Sequence, residues 1–270
     1  MLTFQQVLTL AVRDISRKGY TSPEQVRDWT RRLRQAAQAE MLSDRDAQAM
    51  IRRSLDAVYQ RNIVRGGIES TVPGVGRFTL QSVAPEARAE LDRRVAISMS
   101  LIKLNREQAI DATARRFEGW TSSIPMGGSD VVDTRSIKAA IAKPTQQSRF
   151  EARRVAIDQG AKFVSSLSEI VAKGSDALAG RWRHIRPRAG YESRPEHVAR
   201  NNEWFIVPDS WALREGYIRR GLPTIDDVER PAELPFCSCQ YVWAIDLGDL
   251  PEEMLTAKGR EYVAQGRLAA

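Results

Sequence analysis

Both histidines and both cysteines of the chain lie between positions 184 and 239, as His184, His197 and the pair Cys237-Ser238-Cys239. Imidazole and thiolate are the groups a tetrahedral zinc site uses, and two of each would close such a site without water. In a flat strand, residues i and i+2 share a face, so Cys237 and Cys239 can aim both sulfurs one way. Structural zinc sites favour a wider cysteine spacing, which keeps two other readings open. In one, two buried thiols and two hydrogen-bonded histidines simply stabilise a loop-rich module. In the other, Cys237 or Cys239 pairs with His197 as nucleophile and base, a thiolate beside imidazolium being activated. No activating elbow or oxyanion loop accompanies that pair, so the expectation is a protein that is not an enzyme. A Cys237–Cys239 disulfide would close a small, strained ring. Free or metal-bound thiols, and synthesis in a reducing cytoplasm, are therefore expected.

Beside the first histidine runs an alternating basic stretch, Arg181, Arg183, Arg186 and Arg188, with Trp182 interleaved. Such a run can contact a phosphate backbone and stack on bases. Pairing of these arginines with Glu192, Glu196 and Glu203 is the competing reading. The net charge of +7 favours anionic partners, but arginine and acid alternate through most segments. Neither Val72-Pro73-Gly74-Val75-Gly76 nor Met126-Gly127-Gly128 has the Gly-rich, Lys-containing form that cradles phosphates. No stretch approaches the ~18 consecutive apolar residues of a membrane span, so no membrane partner is expected.

The elements that must position these side chains follow from periodicity. Ser22-Pro23 and Ser43-Asp44 start helices, with Leu2, Val7, Leu10 and Val12 on one apolar face and Ala47, Ile51, Leu55 and Val58 on another. Linkers are placed near 66–82, with Arg77–Leu80 a short strand, and near 119–134. Pro85 is read as opening the longest helix, striped by Leu91, Val95, Ser98, Ile102, Asn105, Ala109 and Ala112. A connecting helix is placed at 148–173, with Phe150, Val155, Ile157, Ala161, Phe163, Val164 and Leu167 inward and Gly174 as its stop. Strands are expected at Trp204–Val207 and Gln240–Ile245, and a last helix from Asp249 to about Ala264. The fold class is thus mainly α with a small C-terminal α+β module. An elongated helical body over 1–147 precedes a module over 148–270, whose α+β part is 180–270.

From about Arg153 onward the chain resembles the phage Mu-type head morphogenesis, or minor head, proteins of tailed bacteriophages. Arg154-Val155-Ala156-Ile157-Asp158-Gln159 followed by Lys162 is similar to that family's A-R-D-Q helix motif with its following basic residue. Arg194-Pro195-Glu196-His197, running into Glu203-Trp204-Phe205-Ile206, resembles its R-P-x-H segment and strand. Leu234-Pro235-Phe236-Cys237-Ser238-Cys239 resembles its terminal C-R-C after a proline-rich stretch. The chain departs from the pattern at Gly190, where the family has an acid, at Asn201-Asn202 in place of Asp-Gly, and at Ser238. If the family's acid is a metal ligand, His184 would replace it here. The resemblance implies a multimeric virion protein, made in the host bacterial cytoplasm and acting near the portal vertex. Its partners would be the portal protein, other virion subunits and, non-specifically, packaged DNA. A head-to-tail adaptor ring is the alternative within that class, and a phage-encoded cysteine hydrolase or transferase the alternative outside it.

Overall fold

The computed structural model of the chain describes residues 2–129, 133–186 and 192–269. Five helices come first: α1 (Phe4–Lys18), α2 (Pro23–Glu40), α3 (Asp44–Tyr59), α4 (Arg77–Thr121) and α5 (Thr134–Gly174). Then follow β1 (Ala179–Arg183), α6 (Pro195–Ala199), β2 (Trp204–Ile206), α7 (Trp211–Arg214), β3 (Gln240–Ala244) and α8 (Ala257–Ala269). The architecture is therefore a long helical body and a small C-terminal module with a three-stranded antiparallel sheet. Two compact units divide it: Met1–Ile51 with Ala96–Ala156, and Arg52–Val95 with Ile157–Ala270. One crossing falls between Ala156 and Ile157, within α5, whereas the sequence reading places its boundary at 147/148. The grouping of Arg52–Val95 with the C-terminal residues has no counterpart in that reading.

In the first unit, Thr3 and Gln6 form a reciprocal capping box at the start of α1, and Ser22 with Pro23 starts α2. Leu8, Ala11, Val12 and Ile15 of α1 pack with Val26, Leu33 and Ala37 of α2, and Phe117, Ile141 and Ala142 complete the core. Leu2 and Leu10, expected on this face, are exposed. The line through Leu8, Ala11 and Ile15 takes the buried position, and Leu10 falls off it. The connection after α4 is anchored where it is described. Ser129 N–H donates to the Ser16 carbonyl at 2.8 Å. Gly128 has φ +90°, and a Cβ there would lie 2.5 Å from that same oxygen.

In the second unit, α4 begins at Arg77, so Arg77–Leu80 is helix rather than strand and Pro85 lies inside the helix. A proline inside a helix costs about 3 kcal/mol. Burial of Val83, Ala87, Leu91 and Val95 at helical spacing carries the helix through it. Likewise α5, whose residues up to Ala156 belong to the first unit, starts at Thr134 and contains Pro144. Phe150 and Ile157, expected inward, are 62% and 50% exposed; Ala152, Gln159, Phe163, Leu167 and Val171 form the buried line instead. The stretch near 66–82 does more than link. Ile68 and Val72 are fully buried, and the Thr71 carbonyl accepts the Trp243 N–H at 2.7 Å, covering the free edge of β3.

The strand order is β2-β1-β3, which makes β1 central. Gly180 stands opposite Phe205 and Trp243, and Trp182 opposite Tyr241. Hence Trp182, Phe205, Tyr241 and Trp243 share one face. Trp243 Nε1 donates to Ser168 Oγ at 3.0 Å, which sets that face against α5. Ala179, Ile206 and Ala244 line the opposite face and pack on Ala212, Ile218, Leu247, Met254 and Leu255. The last helix starts later than expected: short turns at Leu247–Asp249 and Glu252–Met254 precede α8.

Candidate metal centre

His197, Cys237 and Cys239 meet in the second unit. His197 sits in α6, which Pro195 starts at its first turn, and the cysteines lie in the loop that leads into β3. His197 Nδ1 is 3.4 Å from Cys237 Sγ and 3.7 Å from Cys239 Sγ. The three ligand atoms all lie within 4.8 Å of one another, and all three residues are buried. His184 follows the end of β1 and reaches the cluster on one side, its Nδ1 3.5 Å from Cys239 Sγ. It stands outside the mutually close set of three. Metal–sulfur bonds of about 2.3 Å and metal–nitrogen bonds of about 2.0 Å in a tetrahedron put neighbouring ligand atoms about 3.3–3.8 Å apart. The three sulfur–nitrogen distances here fall in that range. This group could hold a metal ion.

Neither cysteine is in a disulfide. The hydrogen bond between them is the largest influence on either: it pulls Cys237 below the ordinary thiol range and pushes Cys239 above it. Burial raises both. The backbone N–H groups of Cys239 and Ala232 favour the Cys237 thiolate, and that of Ile185 favours the Cys239 thiolate. Donors aimed at sulfur are what a ligating thiolate needs once it has lost its proton.

The far side of His197 is also occupied. Its Nε2 lies 2.7 Å from Glu229 Oε1, and Arg200 Nη1 donates to the same oxygen at 2.9 Å. Burial raises the Glu229 carboxyl, while these two hydrogen bonds and their charges more than offset it, leaving it below its ordinary value. Arg200 also lies over the Trp182 ring, 5.3 Å from its centroid, and Trp182 meets the His197 ring edge-on. For His184, Nε2 is 3.1 Å from Ser193 Oγ. Nothing in the sequence singles out Glu229 or Ser193.

The cysteine loop is gripped from several directions. Ser165 Oγ donates to the Pro231 carbonyl at 2.9 Å, and Lys162 Nζ to that of Glu233 at 2.6 Å. The Phe236 N–H donates to Asp158 Oδ1 at 2.6 Å, and Arg194 Nη2 to the Pro235 carbonyl at 3.1 Å. Ala232 and Phe236 both have φ +63°, a left-handed conformation uncommon for residues with a side chain. The surrounding bonds hold them there. Asp158, Lys162 and Arg194, three of the motif residues read from sequence, thus touch the Cys loop directly. Gln159 is buried beside Asp158 and accepts from Arg94. Arg154 belongs to the other unit and pairs with Glu151.

The basic run is less concentrated. Arg181 is exposed and lies over Trp204, 5.7 Å from its ring centroid, while Arg183 donates to Gln240 Oε1 at 2.8 Å. Arg186 is exposed. Arg188, like Gly190, lies outside the described residues. No helix among the described residues is long and apolar enough to cross a membrane. Comparison with known proteins finds no matching family model, no similar curated sequence and no similar solved structure.

Proposed function

We propose that the chain is a minor head protein of a tailed bacteriophage, a structural component acting at the portal vertex, with its C-terminal module pinned by one zinc ion. Zinc would be held by His197, Cys237 and Cys239, with His184 drawn in from Cys239 as the fourth ligand. A closed site of two imidazoles and two thiolates leaves no open position for a substrate or an activated water, and its work is to stabilise the fold.

The observation that carries this reading is the convergence of three short segments on one loop. Asp158 and Lys162 come from α5, Arg194 and His197 from the start of α6, and Cys237 and Cys239 from the loop itself. These are the segments in which the likeness to head morphogenesis proteins resides. Chance likeness in three separate stretches gives no reason for them to meet in space. The helical unit would supply contacts to the portal and neighbouring subunits, and Arg181, open beside Trp204, a non-specific contact to DNA.

A cysteine hydrolase or transferase is the second reading. Cys237, His197 and Glu229 stand in the order of nucleophile, base and orienting carboxylate. Burial speaks against it, since Cys237 is 4% and His197 2% exposed, too closed for an acyl substrate to reach the sulfur.

The test is made on particles. Gradient-purified virions from an induced lysogen carrying the gene should contain the chain in few copies, and its deletion should block formation of filled heads. An asymmetric reconstruction would place it inside the shell or, for an adaptor, as a ring below the portal. Absence from virions together with normal particle yield would overturn the proposal.

A further inference from the structure

We infer that Glu229, braced by Arg200, is a positioning residue that fixes His197 as a metal ligand through Nδ1; this rests on the metal reading above. Glu229 Oε1 receives the Arg200 guanidinium N–H at 2.9 Å, and a guanidinium has donors only. An ionised carboxylate likewise only accepts. The 2.7 Å contact to His197 Nε2 therefore carries its proton on the imidazole nitrogen. In a neutral ring this leaves Nδ1 bare, and Nδ1 is the atom that faces both sulfurs. The histidine is set in its ligating tautomer before any ion arrives. A carboxylate behind a metal-bound imidazole also raises its basicity and fixes the ring's orientation.

The bracing is built from both sides. Arg200 is held by Glu229 and by the face of Trp182, while the edge of Trp182 limits rotation of the His197 ring. Among the described residues, no carboxylate stands behind His184. Its Nε2 faces a serine hydroxyl, which can donate or accept and so selects no tautomer. The two histidines should therefore differ. His197 is the preset ligand, and His184 is the one that adjusts when the ion binds.

The experiment uses the full chain with Co²⁺ as a spectroscopic substitute for zinc, and competition with a chromogenic chelator to rank affinities. Wild-type protein should take up one Co²⁺ with sulfur-to-cobalt charge-transfer absorption. Glu229→Gln and Glu229→Ala should each weaken binding about 10–100-fold. Ser193→Ala should change it much less. Long-range ¹H–¹⁵N spectra of the metal-free protein, simple because the chain has two histidines, should show His197 protonated at Nε2 in the wild type and mixed in Glu229→Gln. A merely structural role for Glu229 would not shift that tautomer. Arg200→Ala provides a second variant should Glu229→Ala fold poorly, and is expected to weaken binding in the same direction. Wild-type binding with unaltered affinity and tautomer in Glu229→Gln would overturn this inference alone. A wild-type protein that binds no Co²⁺ or zinc would overturn it together with the metal reading.

Discussion

The Asp158 carboxylate, in the middle of α5, accepts the backbone N–H of Phe236 at 2.6 Å across a sequence separation of 78. That bond fixes the residue just before Cys237, in a left-handed conformation that a phenylalanine does not adopt unaided. Position on the helix thereby becomes position of the sulfur. Replacing Asp158 with asparagine keeps the size but removes the charge that strengthens the bond. The expected loss is about 1–3 kcal/mol of stability, read as a lower urea midpoint for the second unit. Hydrogen exchange at the Phe236 amide should quicken at the same time. An unchanged midpoint and unchanged exchange would show that Lys162, Ser165 and Arg194 hold the loop without it.

Gly180 tests the aromatic face that backs the site. A Cβ there would lie 2.8 Å from Cγ of Tyr241, whose ring packs against Trp182, Phe205 and Trp243. Gly180→Ala should therefore push Tyr241 off its position and cost about 1–3 kcal/mol, as overpacked cores do. Denaturation followed by tryptophan fluorescence measures it. Stability equal to wild type would mean that the sheet can open at this point without cost.

Acid sensitivity should be traceable to Glu90. Burial raises its carboxyl, but hydrogen bonds from Arg93 and Arg94 outweigh that and leave it below the ordinary glutamate value of 4.5. A group whose folded-state value is depressed adds stability above the unfolded-state value, and this is lost as pH falls through the folded-state value. The stability gap between wild type and Glu90→Gln should thus be constant near neutrality and close progressively below about pH 4.5. A gap that persists unchanged to pH 3 would contradict this assignment.

The ligand types were legible because the chain has so few of them, and their clustering needed no fold to be seen. The helical body and two of the three strands followed from periodicity. What escaped had physical reasons. Pro85 reads as a helix start and the connecting helix as beginning at 148, yet buried neighbours carry α4 through Pro85 and α5 through Pro144. The central strand, Ala179-Gly180-Arg181-Trp182-Arg183, holds a glycine and two arginines and lacks the β-branched pattern of a strand; its place between two aromatic strands makes it one. Glu229 is one acid among several near Asp226 and Asp227. Only the path of the folded chain brings it to His197. Thr71, in what reads as a turn, was invisible as the cover of a sheet edge because that pairing uses backbone alone.

The claim on which the rest depends is that one metal ion ties His197 to the Cys237–Cys239 loop. Native mass spectrometry of the full-length protein, purified without chelator, tests it directly. The expected result is one zinc per folded chain, absent when Cys237 and Cys239 are both changed to serine, with the C-terminal module of that variant melting earlier than wild type. A wild-type chain that is metal-free, fully folded and indifferent to added zinc would contradict the account.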